Sequence, residues 1–318
     1  MIYDCFTFFN EFDLLEIRLN ELNSVVDKFV LVEATKTFSR KDKPLYFNEN
    51  KHKYNKFLNK IIHVVIDEYP NINGDWVIEN YQRNEISKGL VNCKDDDIIL
   101  ISDCDEIPRP SSILEYKDKP GLKILEQDMY YYYFNLKASS KWVSGTRMLF
   151  YKDLKNGFDN VENYSKTVIR ELNIGTTPQK VRHITSGTFV KNAGWHFTYT
   201  GGVDMIVKKI TSFSHFREVT SIDKNKIEKG IRTGSAQFNS DMFLLPVKID
   251  NSFPKYIYEN RDKYKDFILV QSSKEKIICF INIVLKQPRY ILKNFIYFIF
   301  GRENLKKIEQ NIKKLFRK

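Results

Sequence analysis

The chain has 318 residues, 42 % hydrophobic and 29 % charged, which excludes a disordered polypeptide and allows one large domain or a domain with an appendage. Its formal net charge is +11, but Lys274–Lys318 holds 12 basic and 3 acidic residues and so supplies +9 of it. A body left at +2 argues against a nucleic-acid partner, because polyanion binding spreads charge over a folded face.

Cys5, Cys93, Cys104 and Cys279 lack metal-ligand spacing and form no disulfide framework. Asp4, Glu11, Asp13 and Glu16 arrive too early for a cleaved secretory signal or an N-terminal anchor, so neither is expected. The 24 Phe, 18 Tyr and 3 Trp provide for a deep core and for surfaces on which a sugar or base can stack.

Ile2–Phe9 is a short apolar run that predicts a strand. Phe12, Leu15, Leu19, Leu22 and Val26 then recur at helical spacing across Glu11–Val26. Phe29–Glu33 and Ile61–Ile66 are β-branched runs suited to buried parallel strands. Trp76–Leu90 reads as a helix, and Ile98–Ile101 as a third buried strand leading into Ser102-Asp103. Strands alternating with helices predict an α/β fold, Rossmann-like, with a mixed and mainly parallel central sheet. Ligands bind such sheets off the carboxyl ends of the strands, where Glu33, Asp67 and Asp103 fall. Glu33 is on that ground a candidate contact to a bound nucleotide donor.

Further on, Met129–Leu136, Arg147–Tyr151, Gly187–Val190 and Trp195–Tyr199 read as strands that extend the sheet and build a second binding surface. Helical, basic sequence follows a boundary near Leu245–Asn251. Residues 1–245 are expected to form one domain, with a nucleotide-binding half at about 1–108 and an acceptor half at 109–245. Residues 246–318 then make a C-terminal helical basic extension. Its apolar runs Ile277–Leu285 and Tyr290–Phe300 are broken by Lys286, Pro288, Arg289 and Lys293 and fall short of the roughly 20 residues that cross a bilayer. A basic, aromatic amphipathic stretch suits the plane of an anionic membrane surface; packing of these helices on the body is the alternative.

The sharpest feature is Ile98-Ile99-Leu100-Ile101-Ser102-Asp103-Cys104-Asp105-Glu106-Ile107-Pro108, where three carboxylates follow four core residues. On an extended segment Asp103 and Asp105 project the same way and can share one divalent cation. Oxygen ligation favours Mg²⁺ or Mn²⁺, with positions left open for substrate phosphates. Such an ion neutralises charge developing on a departing diphosphate. The alternative is a solvated acidic loop or a helix cap. Pro108 and Pro110 are expected to end the strand and hold the loop open.

Ser102–Pro108, with Asn10-Glu11-Phe12-Asp13-Leu14-Leu15, Gly194-Trp195-His196 and Ile231-Arg232-Thr233-Gly234, resembles glycosyltransferase family 17, the family of the bisecting β-1,4-N-acetylglucosaminyltransferases. The resemblance runs in register from about Ile2 to Gly234. It implies a GT-A-type fold, a UDP-sugar donor (UDP-N-acetylglucosamine), a divalent cation and inversion at the anomeric carbon. It also suggests that His196 completes the coordination of the cation, against the alternative of a core histidine bonded to a carbonyl. A basic tail, and the expectation of no N-terminal anchor, depart from the animal members. They favour a lipid-linked glycan acceptor, met by a cytoplasmic enzyme peripherally held at the inner face of a membrane.

Arg232 and Arg83 are candidates to grip the diphosphate, with a surface ion pair as the alternative for each. The general base is a carboxylate close to the sugar and off the metal, for which Asp204 and Glu106 are candidates. Trp142 and Tyr130-Tyr131-Tyr132-Tyr133 offer rings for stacking, about half of the tyrosines being core by strand alternation. Gly201-Gly202 marks a turn, with a mobile loop as its functional alternative. His215, in a polar stretch, is a poorer candidate than His196, and His52, His63 and His183 lack supporting context. Two other functions fit parts of the chain: a nucleotidyltransferase forming NDP-sugars, which normally has a Gly-rich phosphate loop that Phe8-Phe9-Asn10-Glu11 does not provide, and a non-catalytic membrane or nucleic-acid adaptor.

Overall fold

The first strand of the chain lies inside the larger sheet, flanked on both sides by parallel neighbours. In the computed structural model, which describes residues 1–70, 76–156, 176–212, 223–234 and 242–286, the strands are β1 (Ile2–Phe8), β2 (Lys28–Ala34), β3 (Ile61–Ile66), β4 (Ile98–Asp103), β5 (Glu106–Pro108) and β6 (Lys123–Leu125). They continue as β7 (Gln127–Tyr131), β8 (Leu136–Trp142), β9 (Arg147–Phe150), β10 (Thr188–Val190), β11 (Gly194–Thr198) and β12 (Leu244–Pro246). A seven-stranded sheet has the order β10-β6-β9-β4-β1-β2-β3, and a five-stranded sheet the order β12-β8-β7-β11-β5. In the first, β1, β2, β3 and β4 are parallel, while β9 runs antiparallel to β4 and β6. The expected α/β, mainly parallel sheet is what the chain forms.

Every residue of β1 is buried. One face of the sheet packs Phe6, Phe8, Phe29 and Leu31 against Leu15, Leu19 and Leu22 of helix Phe12–Leu22. The other face packs Cys5, Val30, Ile99 and Ile101 against Ile86, Leu90 and Val181. Each such side chain taken fully out of water contributes roughly 1.5–3 kcal/mol, so both faces hold the carboxyl ends of β1 and β4 in place.

Two elements differ from expectation. The helix at Trp76–Leu90 is α-helical only over Val77–Asn84 and tightens to a 3₁₀ turn at Glu85–Leu90. That turn presses Gly89 onto Val30, where a Cβ would stand 2.3 Å from Cγ1. Met129–Leu136 is no single strand: Tyr132 adopts a left-handed φ of 68°, ending the β7 run before β8 begins. Tyr130 then enters one core cluster while Tyr131 and Tyr132 enter another, so burial overrides the alternation expected of a tyrosine run.

The boundary expected near Leu245 does not end the packed body. Ile249, Phe253, Ile257 and Tyr264 share a core with Leu14, Ile17 and Trp195, and Asn135 exchanges two hydrogen bonds with Leu269. A basic helix begins only at Ser273 and is described to Lys286. Among the described residues, no helix is long and apolar enough to cross a membrane. Tyr290–Phe300, the basic residues beyond Lys286 and His215 lie outside the described residues.

Candidate active site

Asp103 is the last residue of β4, beside Thr7 of β1 in the parallel register. The chain turns at Cys104-Asp105 and returns at once as β5, the edge strand of the smaller sheet. Pro108 is the last residue of β5, opposite Gly194 on an edge strand where its missing N–H is tolerated. Pro110 opens helix Pro110–Tyr116. Pairing of β5 with β11 sets His196 opposite Glu106, and the Phe197 amide donates to the Asp105 carbonyl at 2.9 Å. At Gly194 a Cβ would stand 2.3 Å from the Ile107 carbonyl oxygen, so its close backbone approach serves strand pairing rather than a ligand.

Buried arginines hold this acidic turn. Arg18 donates to both carboxylate oxygens of Asp4, at 2.7 and 2.5 Å, and through Nη1 to the backbone carbonyls of Asp103, Cys104 and Glu106. Arg18 and Asp4 are fully buried, and the guanidinium lies 4.4 Å from the centre of the Phe6 ring. Arg182 donates to Asp103 Oδ2 at 2.7 Å and to both oxygens of Glu106 at 2.7 and 2.6 Å. Arg83 donates to Asp103 Oδ1 at 2.9 Å, to Glu79 and to Gln179. Burial alone would raise the Asp103 carboxyl, but Arg182 and Arg83 outweigh it and hold the group well below the usual carboxylate range.

A cavity of about 270 Å³ opens over the turn. Asp103, Cys104, Asp105 and Glu106 form its floor, with Thr7, Phe8, Phe9 and Glu11 from the end of β1 and the loop beyond it. Lys36, Thr37, Phe38 and Lys43 line a further part of the wall, as do Trp76, Glu79 and Gln82. Trp142, His196 and Thr198 come from the smaller sheet. The Trp142 indole N–H donates to Glu106 Oε1 at 2.7 Å, and its ring centre lies 4.7 Å from that of His196.

The structure gathers Asp103, Asp105, Glu106, His196 and Trp142 at one cavity, with Arg83 directly behind Asp103. It does not bring Glu33, Arg232 or Asp204 there. Glu33 is fully buried and accepts from the amides of Phe47 and Asn48, holding the start of helix Tyr46–Asn50, with His63 Nε2 at 3.2 Å. Arg232 ends helix Lys224–Arg232 and pairs with Glu275 at 3.0 Å. Asp204 is an exposed residue of helix Gly202–Ser212 that accepts from Lys224 at 2.6 Å. Glu106 reaches the cavity, but its oxygens take hydrogen bonds from Arg182, Trp142 and the Asp103 amide, which suits an anchor better than a base.

Among the described residues no three His, Cys, Asp or Glu side chains converge as a cation site of their own. The donor chemistry nevertheless fits a hard divalent ion completed by phosphate oxygens. Asp105 Oδ1 and His196 Nε2 stand 3.5 Å apart at the cavity, and His196 Nδ1 is buried without a hydrogen-bond partner among the described residues. Asp103, gripped by two guanidiniums, is the poorer ligand of the pair of aspartates.

Arg18 and Arg182 escaped the sequence reading. Asp4 and Arg18 carried a usable signal, each being a charge inside an apolar run; Arg182 is brought to Asp103 by tertiary structure alone, 79 positions along the chain.

An open α/β sheet with carboxylates at a central strand end is a ligand-binding architecture. Residues 1–272 match the model of Glycosyltransferase family 17, and the chain belongs to that family. The family resemblance seen in its motifs is thereby established. It is 25 % identical over 281 aligned positions to the Beta-1,4-mannosyl-glycoprotein 4-beta-N-acetylglucosaminyltransferase of Mus musculus, covering 80 % of this chain and 52 % of that one. The Homo sapiens protein of the same description is 25 % identical over 280 positions, with the same coverage. The chain thus spans about half the length of the curated relatives it matches. Among solved structures, the inositol-1-phosphate CTP transferase from T. maritima aligns with a TM-score of 0.35 and 10 % identity, covering 85 % of this chain and 97 % of that one.

Proposed function

We propose that this protein is an inverting glycosyltransferase of GT-A type that moves N-acetylglucosamine from UDP-N-acetylglucosamine to a hydroxyl of a glycan or lipid-linked glycan. The observation that carries the reading is the turn Asp103–Glu106: carboxylates fixed at the end of a central parallel strand, facing a cavity shared with His196 and Trp142. Family membership and the relatives' description support the sugar and the class of reaction.

Asp105 and His196 would hold Mn²⁺ or Mg²⁺, and the ion when bound supplies positive charge to the departing diphosphate. The remaining work falls to the chain. Arg18 fixes the turn's backbone through its three carbonyls, so the carboxylates cannot drift when a charged donor enters. Arg83 and Arg182 keep Asp103 ionised and oriented, ready to accept a hydrogen bond from the donor. Trp142, pinned by Glu106, offers an aromatic face for a sugar ring. Lys36 and Lys43 also line the wall, paired with Asp42 and Glu33 respectively.

Association with the inner face of a membrane is part of the proposal. Helix Ser273–Lys286 is tied to the body through Cys279, Asn282 and Glu275, while Ile277, Phe280 and Ile281 are exposed. The sequence after it adds basic and aromatic residues. Such a face suits anionic lipid. Screening nucleotide-sugars for divalent-cation-dependent hydrolysis tests the activity. UDP-N-acetylglucosamine should be consumed in preference to others; no release of nucleotide from any donor contradicts it.

A further inference from the structure

Five carboxylates line the cavity, and four of them meet side-chain nitrogens of the protein. Asp103 lies between Arg83 and Arg182, Glu106 against Arg182 and Trp142, Asp105 beside His196, and Glu79 against Arg83. Glu11 is different. It is half-buried at the start of helix Phe12–Leu22, yet its side chain does not cap that helix. Instead Oε2 accepts from the amides of Phe9 and Asn10 at 3.1 and 3.0 Å. Among the described residues Oε1 takes no hydrogen bond, and Glu11 forms no ion pair.

We infer that Glu11 is the general base of the transfer. The inference rests on the transferase reading above. Two backbone N–H groups fix the plane of the carboxylate, leaving Oε1 for a proton from the acceptor. The O–H bond of the attacking hydroxyl breaks as its proton passes to Glu11 Oε1. The oxygen's electron pair forms the new bond to the anomeric carbon. The bond from that carbon to the β-phosphate oxygen breaks in the same displacement, and its electron pair leaves on UDP. A base for inversion must face the cavity without ligating the cation. Glu11 lines the same cavity as Asp105 and His196 from the loop after β1, and is not one of the two groups that would hold the ion. Asp204, exposed on its own helix, and Glu106, saturated with donors, do not meet these requirements.

The test uses the full chain with UDP-N-acetylglucosamine and Mn²⁺, water serving as acceptor, and a separate titration with UDP. Glu11→Gln keeps an oxygen for the Phe9 and Asn10 amides but takes no proton. Its hydrolysis rate should fall by about 10²- to 10⁴-fold while UDP affinity and the unfolding midpoint stay at parent values. Glu11→Asp should recover part of the rate, and Asp204→Asn should leave it unchanged. Turnover by Glu11→Gln at the parent rate overturns the assignment while leaving the transferase intact. Loss of UDP binding in step with turnover also overturns it, making Glu11 a donor contact. A parent protein that neither binds UDP nor hydrolyses the donor sinks the transferase reading, and the base with it.

Discussion

Two sets of ion pairs in this molecule differ in their surroundings. Around the acidic turn, Arg18, Arg83 and Arg182 are buried, and each bonds several partners. On helices Gly202–Ser212 and Lys224–Arg232, Asp204 pairs with Lys224 and Arg232 with Glu275, with Asp204 87 % and Lys224 61 % exposed. Charge that a fold takes out of water must be over-determined by partners, whereas an exposed pair costs and contributes little. The buried set therefore marks where the molecule spends stability on geometry.

Breaking the buried set should give the largest effect. Arg182→Ala leaves Asp103 and Glu106 without their shared guanidinium, and urea unfolding should show a loss of about 3–5 kcal/mol. A smaller but still local effect is expected at Gly145. A Cβ there would stand 2.2 Å from Trp142 Nε1 and 2.6 Å from Glu106 Oε1. Gly145→Ala should cost about 1–3 kcal/mol through forced displacement of that pair, and should weaken sugar-dependent turnover along with it.

Acid sharpens the contrast in a different way. The Asp103 carboxyl is lower in the folded chain than in the unfolded one, so its contribution is complete above the unfolded value of about 3.9 and is lost as pH falls below it. Stability of the parent should drop on acidification more steeply than that of Asp103→Asn, as followed by thermal unfolding between neutral and acid pH. The exposed set should respond least. Lys224→Ala or Arg232→Ala should change stability by no more than about 1 kcal/mol and leave donor hydrolysis unaltered. A large loss of turnover in Arg232→Ala would erase the distinction between the two regions.

Much of the scaffold was legible in the sequence because period and burial coincide there. The runs at β1 to β4 are apolar on both faces, and Ile61–Ile66 forms a strand with those very bounds. The acidic turn was legible for the same reason, as charge that follows a core strand directly. The second sheet was less so. Its tyrosines and short strands take their conformation from long-range packing, as at Tyr132, and Phe253 and Ile257 joined the body beyond the point where the sequence turns basic. Arginine partners were the least accessible, since Arg83 and Arg182 meet at Asp103 only through tertiary structure. Glu33 misled for a physical reason: its strand-end carboxylate binds backbone amides of a neighbouring helix instead of facing the cavity.

The most direct test of a donor site at the acidic turn is calorimetric titration of UDP into the parent and into Asp105→Asn, each with and without Mn²⁺. Binding by the parent should tighten at least tenfold with the ion, a difference of about 1.4 kcal/mol, and the variant should lose that gain. UDP affinity that is the same in all four titrations, or absent from the parent altogether, would contradict it.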